Sequence, residues 1–458
     1  MARQRSPLRR LTRIIELLVL AAVLLTAVGI WWTGGEYPAE TTRHTKAVTA
    51  PGPFQPPAGA PPQSPARRTV VMMVFDGLAP AMLEGQATPA LDRLRREGAW
   101  SNNMVPPFPS ISLTGGFTIS TGCWPEHHGI VTNRFFDPQR GFYDHSRDAD
   151  WASGCEHLHQ VAERQGVPSA ALGWYGAVSA TRGKLARDVA YEATWKEYPT
   201  DTARAQQVVD LLARPATERP QLILAYFRGP DSAAHFKGMD SPEVRAAVAE
   251  TDRAVGTVLA ALERIGNAAL IVTTDHGMRP TAELINVEYL LRRHGIAARM
   301  VATGTTAFIY LDDPATRPQA IEALTPYDSF DIIRPEAPPA WAHLGSGPRV
   351  GDLILSAKPP YVIEDRGQLP WYVRWLAWVG PETVDARSSL HASHGYPPDT
   401  PGVQGAFFAW GDGVQRGKQL ERVDAIDIHP TVTQLLGIAP GVPVDGQPIV
   451  ALLSPNEP

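Results

Sequence analysis

Thr69–Phe75 reads TVVMMVF and runs straight into Asp76-Gly77. A continuous apolar stretch rich in β-branched residues is the pattern of a strand buried on both faces of a parallel sheet. The pattern returns at Leu222–Phe227 (LILAYF), ahead of Asp231, and at Ala269–Thr273 (ALIVT), ahead of Asp275-His276-Gly277. Helices are expected between these strands. Thr88-Pro89 offers an N-cap and a first-turn proline, with Gly98 as the stop. Ser241-Pro242 opens a longer helix that runs to Gly266 with apolar residues at helical spacing. Further strands are expected at Asp352–Ser356 and Ala406–Trp410, and a last helix from about Ala425 to Gly437. Alternating segments of this kind predict an α/β fold, a mostly parallel central sheet with helices on both faces.

At 458 residues the chain is long enough to bury a large core without staples. Hydrophobic residues at 44% and charged residues at 19% exclude a disordered acidic chain and a collagen-like or repeat protein. The balance of 42 basic against 47 acidic residues, 42 − 47 = −5, lacks the basic face that a stable nucleic-acid complex needs. Two cysteines exclude a disulfide-framework fold and a four-cysteine zinc module. Cys123 and Cys155 read equally as a disulfide or as two buried thiols.

In a parallel sheet, ligands gather beyond the carboxyl ends of the strands. Asp76, Ser112, Asp231 with His235, Asp275 with His276, and His394 sit at such ends or in loops that can fold back to them. Singly, each reads as a turn acid or a surface imidazole. Together, three carboxylates and three imidazoles make a mixed oxygen and nitrogen set that suits zinc, with manganese or cobalt as alternatives. Six ligands exceed what one tetrahedral ion takes, so the set predicts two divalent ions about 4 Å apart.

Pro106–Asn133 reads PPFPSISLTGGFTISTGCWPEHHGIVTN. With Asp76-Gly77, Thr88-Pro89-Ala90-Leu91, Thr121-Gly122, Pro125, His128-Gly129-Ile130 and Asn133, it resembles the nucleotide pyrophosphatase/phosphodiesterase family of the alkaline phosphatase superfamily. Pro230-Asp231 with His235 and Gly238, Thr274–Met278, Arg349–Asp352 and His394-Gly395-Tyr396 extend the resemblance from about Thr69 to the C-terminus. The arginine of the sulfatase signature is missing after Pro125, where Glu126-His127 stands. The resemblance implies an alkaline-phosphatase-like fold with a small cap-like insertion at about 280–350. It implies one ion on Asp76, Asp275, His276 and the nucleophile oxygen, and another on Asp231, His235 and His394. Counting back from Thr121-Gly122 makes Ser112 the nucleophile, with Ser110 its nearest competitor and His391 the competitor of His394. Asn133 falls where the family places an amide against the phosphoryl oxygens.

The implied reaction is hydrolysis of phosphodiester or pyrophosphate bonds through a phospho-serine. A lipid or choline-type diester is the alternative substrate, and an inactive binding or envelope-structural protein the alternative class. Leu113 stands where nucleotide-cleaving members carry a stacking aromatic, and Tyr226 is expected to supply the opposite face. Trp174-Tyr175-Gly176 replaces a Trp-Pro-Gly motif.

Leu17–Trp32 carries no charge over sixteen positions, with Arg3, Arg5, Arg9, Arg10 and Arg13 ahead of it and Glu36 and Glu40 behind. A helix over Ile14–Trp32, apolar apart from Glu16, just spans a hydrocarbon core of about 30 Å, and the arginines hold the N-terminus in the cytoplasm. Residues 1–33 are read as an anchor, with a cleaved signal peptide as the rival. Residues 34–67, with seven prolines between Pro51 and Pro65, form a tether. Residues 68–458 form the catalytic body, outside the cytoplasm in either case.

Overall fold

Every residue of the first strand is buried, and its two faces serve two different cores. The computed structural model describes residues 67–455, apart from 145–150, 153, 179–184, 193–196, 365–379 and 389. The expected membrane span and nearly all of the proline-rich tether lie outside the described residues. Among the described residues, no helix is long and apolar enough to cross a membrane.

The nine-stranded central sheet contains β1 (Thr69–Phe75), β2 (Ala99–Val105), β3 (Ser169–Leu172), β4 (Asp188–Ala190), β5 (Leu222–Phe227), β6 (Ala268–Thr273) and β7 (Gly405–Gly411). Two-residue strands at Lys418–Gln419 and Val423–Asp424 flank β2. The order across the sheet is β2, β7, β6, β1, β5, β3, β4. From β6 to β4 all neighbours are parallel. The late apolar run expected at Ala406–Trp410 is β7, and it runs against both β2 and β6.

Five helices matter for the site: α1 (Pro89–Glu97), α2 (Ser112–Thr121), α3 (Asp231–Lys237), α4 (Pro242–Ile265) and α5 (Ile428–Leu435). Val70, Met72 and Val74 of β1 pack with Phe117 of α2 and Val432 of α5. Val71, Met73 and Phe75 face the other way, onto Leu91 of α1 and Val244, Val248 and Val255 of α4. This is the period-two alternation of a strand covered on both sides.

The helix starts differ in how they are capped. Ser241 Oγ accepts from the Val244 N–H, with Pro242 in the first turn, as expected. Thr88 precedes α1, but its side chain makes no capping bond. Instead Asp252 of α4 accepts from the Leu91 N–H at 2.9 Å and the Ala90 N–H at 3.3 Å. A carboxylate reaching across from a packed helix satisfies the same orphan donors, with the added attraction of the helix dipole.

The strand expected at Asp352–Ser356 lies outside the central sheet. As Leu353–Ala357 it joins Ala298–Thr303, Thr306–Leu311 and Phe330–Ile333 in a separate antiparallel sheet with its own core. One turn of that sheet presses on the site. Thr306 Oγ1 donates to the Gly395 carbonyl at 3.0 Å, and Thr132 Oγ1 bonds Thr303 Oγ1 at 2.6 Å.

Cys123, just past the end of α2, is bonded to Cys155. The bridge joins residues 32 apart in sequence, which by chain-entropy reasoning stabilises the fold by about 3–4 kcal/mol. Replacing both cysteines by serine should lower the urea midpoint of the oxidised protein by a corresponding amount. An unchanged midpoint would show that the link contributes nothing to stability.

Candidate metal centre and nucleophile

β6, β1 and β5 end at one level, because Val74 is in register with both Thr273 and Tyr226. Asp76 follows β1 directly, and Asp275-His276 follow β6 after one residue. Beyond β5, Arg228-Gly229-Pro230 turns the chain so that Asp231 opens α3 and His235 lies one helical turn on. Gly229 makes that turn possible: it has φ +57°, and a Cβ there would sit 2.3 Å from the Asp76 carbonyl oxygen. Three carboxylates thus gather beyond the ends of adjacent strands, Asp231 by way of a three-residue turn.

The first group is Asp76, Asp275, His276 and Ser112. His276 Nε2 lies 3.2 Å from Asp76 Oδ1 and 3.7 Å from Asp275 Oδ1. Ser112 Oγ lies 3.2 Å from His276 Nε2 and 3.4 Å from Asp76 Oδ1. Ser112 is the first residue of α2, where helix N–H groups favour an anion. Gly115 and Gly116 seat that helix. A Cβ on Gly115 would meet the Asp275 carbonyl oxygen at 2.4 Å, and one on Gly116 would meet the Tyr175 ring at 1.9 Å.

The second group is Asp231, His235 and His394. Asp231 Oδ1 is 3.3 Å from His235 Nε2 and 3.5 Å from His394 Nε2, and the two Nε2 atoms are 3.1 Å apart. His394 also stacks on His276, ring centroids 3.6 Å apart, so the two groups share a wall. Asp231 Oδ1 is buried without a hydrogen bond.

The histidine tautomers follow from their partners. Nδ1 of His235 faces the Ala392 carbonyl at 2.7 Å, that of His276 the Gly277 carbonyl at 2.8 Å, and that of His394 the Ser110 carbonyl at 3.0 Å. A carbonyl only accepts, so each Nδ1 donates and each Nε2 is directed into the pocket, the arrangement typical of metal-ligating histidines. Two facing imidazole nitrogens beside an orphaned carboxylate oxygen suit a cation. The residues present therefore fit the metal ions that the sequence implies.

Electrostatics agree. Burial works against the charged form of His276, yet Asp275 and Asp76 raise it to about 10. Asp275 is pushed up by burial and by Asp76. Burial also opposes ionisation of Asp231, but His235 and then His394 outweigh it and hold the carboxyl below its usual range. Burial and His276 keep His394 neutral. The pocket draws positive charge inward, and metal binding at such a site releases protons.

The competitors are separated by position. Ser110 is fully buried, donates to the Tyr396 carbonyl at 2.9 Å and accepts from the Gly395 N–H at 3.1 Å, so it holds the His394 loop. His391 is exposed, and its backbone N–H donates to the His235 carbonyl. Asn133 Oδ1 accepts the Leu113 N–H at 2.9 Å, which fixes the amide orientation and leaves its NH2 as the donor end.

The two expected base-stacking residues are not available for stacking. Tyr226 is 0% exposed, hemmed in by Tyr175 and Tyr198, and its hydroxyl donates to Asp76 Oδ2. Leu113 is 3% exposed and belongs to the main core. The side chain after a helix's first residue turns about 100° away from it, here into the sheet. Trp174 is likewise buried and donates to Ser120 Oγ at 3.1 Å. Tyr175 is a residue whose role the sequence did not disclose: its hydroxyl donates to Asp275 Oδ2 at 3.2 Å. With Tyr226 it ties down the rear oxygens of two carboxylates, a support that no sequence spacing reveals.

The family model described as type I phosphodiesterase / nucleotide pyrophosphatase matches residues 70–397. An uncharacterized pyrophosphatase/phosphodiesterase of Schizosaccharomyces pombe is 27% identical over 401 residues, 82% of this chain and 78% of that protein. Ectonucleotide pyrophosphatase/phosphodiesterase family member 7 of Homo sapiens is 25% identical over 412 residues, 84% of this chain and 83% of that protein. Murine ectonucleotide pyrophosphatase/phosphodiesterase 5 superposes with a TM-score of 0.73 at 21% identity, covering 84% of this chain and 100% of that one. An inactive form of the same mouse protein, in complex with AMP, superposes equally well. The structural likeness shows the fold, and the sequence match over more than half the chain shows the kinship. The chain belongs to the type I phosphodiesterase / nucleotide pyrophosphatase family, whose metal-dependent members hydrolyse phosphodiester or nucleotide pyrophosphate bonds.

Proposed function

We propose that Ser112 is the nucleophile of a two-step hydrolysis at a centre for two divalent ions, with zinc the best match to the donors. Asp76, Asp275, His276 and the Ser112 oxygen serve one ion; Asp231, His235 and His394 serve the other. One observation carries the reading. The Nε2 atoms of His235 and His394 converge, 3.1 Å apart, beside an Asp231 oxygen that lacks a hydrogen bond, a donor set that a shared metal ion would satisfy.

Divalent ions held by these residues would supply the charge that favours the serine alkoxide and neutralises the departing oxygen. Ser112 Oγ attacks phosphorus from the side of Asp76 and Asp275. The bond to the leaving group breaks on the opposite side, toward His235 and His394. The Asn133 NH2 donates to a nonbridging oxygen as charge builds there, and its own carbonyl is held by the Leu113 N–H. The phospho-serine diester is then cleaved by water entering where the leaving group departed, which restores Ser112.

Nucleotide diesters and pyrophosphates are the substrate class, supported by the AMP complex of the mouse relative. Lipid or choline-type diesters are a second reading, favoured by the burial of Leu113 and Tyr226. The cap-like insertion expected at about 280–350 corresponds to the separate antiparallel sheet, whose strands run from Ala298 to Ala357 and whose Thr306 braces the His394 loop. Leu17–Trp32 is an uncleaved anchor that leaves the body outside the cytoplasm, a placement that suits the Cys123–Cys155 bond.

Ser112→Ala should lower kcat at least about a thousandfold on an aryl phosphodiester, the scale expected when a covalent step is removed. Ser110→Ala should cost far less, and the reverse outcome would move the nucleophile. Elemental analysis of the purified protein should find about two zinc-class ions. His394→Ala should halve that content and chelator should abolish turnover, whereas full activity in metal-free protein would overturn the centre. In native membranes the chain should resist carbonate extraction and retain its N-terminal arginines; a soluble product beginning near Gly34 would indicate a cleaved signal instead.

A further inference from the structure

The second group depends on a turn in a way the first does not. Asp76 follows β1 directly, and Asp275 and His276 follow β6 after one residue, so sheet register delivers them. Asp231 and His235 instead reach the pocket through Arg228-Gly229-Pro230, and the direction of that turn decides where α3 begins. Space around it is tight: a Cβ on Gly77 would sit 2.9 Å from the Asp231 Cβ. The turn starts where β5 stops, so its N–H groups need partners outside the sheet ladder.

One carboxylate supplies them. Asp201 Oδ1 accepts the Arg228 N–H at 2.9 Å, and the Gly229 N–H bonds the same side chain. Pro230 has no N–H to satisfy. Thr251 Oγ1 of α4 donates to Asp201 Oδ2 at 3.3 Å, which orients the carboxylate. Both side chains are buried. Asp201 opens the helix Asp201–Leu212, yet other residues serve the N–H groups of that helix. Thr200 accepts from the Ala203 N–H at 3.2 Å, and Glu250 from the Thr202 N–H at 3.2 Å. Nor does stability call for a charge here. Burial, and after it Glu250, push the Asp201 carboxyl up to about 7, so above the ordinary carboxylate range its ionised form costs the fold stability.

We propose that Asp201 is a positioning residue for the second metal group: it holds the Arg228-Gly229-Pro230 turn, and through it fixes Asp231 and His235 against His394. The proposal rests on the two-ion reading given above. His394 arrives separately, on a loop bonded to Ser110. A small displacement of α3 therefore opens the 3.1 Å approach of the two Nε2 atoms while the strand ends that carry Asp76, Asp275 and His276 stay in register. Loss of Asp201 is thus selective for one ion, which a general loosening of the fold is not.

The test strips the full-length protein with chelator and titrates it with zinc against a chromophoric competitor. The binding step missing from His394→Ala identifies the second group. In Asp201→Ala that step should weaken about thirtyfold, the scale seen when an outer partner of a metal ligand is lost, while the other step changes by less than about twofold. Asp201→Asn keeps an oxygen for both N–H groups and should recover most of the loss. Equal weakening of the two steps marks a merely structural role and overturns the proposal, as does an unchanged second step or an Asp201→Asn protein no better than Asp201→Ala. If Asp201→Ala does not fold, Thr251→Val decides: a loss of about threefold confined to the second step supports the proposal, and no loss overturns it. A wild type that takes up no zinc overturns the two-ion reading and the proposal with it, whereas a two-step wild type with indifferent variants overturns the proposal alone.

Discussion

Negative charge buried at one level of a parallel sheet is the constraint around which the rest of the site is arranged. Asp76, Asp231 and Asp275 are all at least nine-tenths buried and project from three neighbouring strand ends. Isolated carboxylates are costly to bury, and several together more so, because like charges in a poorly screened interior repel strongly. The fold offsets this with positive charge and directed donors rather than with solvent. Histidines supply one part. The hydroxyls of Tyr175 and Tyr226 supply another, each bonding the carboxylate oxygen turned away from the pocket.

The rigidity of the centre comes from the same economy of partners. Each of the three imidazoles is held at Nδ1 by a backbone carbonyl, and one of those carbonyls belongs to Ser110, two residues before Ser112. Ser110 Oγ also bonds the backbone on either side of Gly395, so the His394 loop and the start of α2 move as one piece. The separate sheet closes the arrangement from behind through Thr306 and Gly304, where a Cβ would sit 2.5 Å from the His394 carbonyl oxygen. Positioning to within fractions of an ångström is what such chemistry requires, and here it rests on sheet register and backbone hydrogen bonds.

What was legible in the sequence was whatever repeats along one segment. β1, β5 and β6 show in their unbroken apolar runs because both faces are covered, and the α4 boundaries show in Ser241-Pro242 and Gly266. The candidate ligands, which the structure brings together, were legible because each follows such a strand or carries a recognisable neighbour. Long-range choices were not. Thr88 has the right identity for a cap, yet Asp252 of a distant helix makes the bonds. Tyr226 sits at a strand position that fits either a substrate face or a core face, and only the packing of Tyr175 and Tyr198 around it decides. The strand at Leu353–Ala357 looks like any buried strand, and nothing local tells which sheet receives it.

The strand order has a consequence for how the molecule is made. Among the described residues, β2 pairs with β7, Lys418–Gln419 and Val423–Asp424, and with no strand that precedes residue 405. β7 also separates β2 from β6, so the sheet cannot close between them until residues 405–411 have arrived. Contacts between residues some three hundred positions apart in sequence carry a loop-closure cost that slows assembly, and an uncovered edge on β6 is open to mispairing meanwhile. A polypeptide emerging from a ribosome or a translocation pore in N-to-C order therefore waits, with one side of β6 unpaired, for β7. A chain cut before residue 405 would lack the strand that joins β2 to β6, although every candidate metal ligand lies upstream of it.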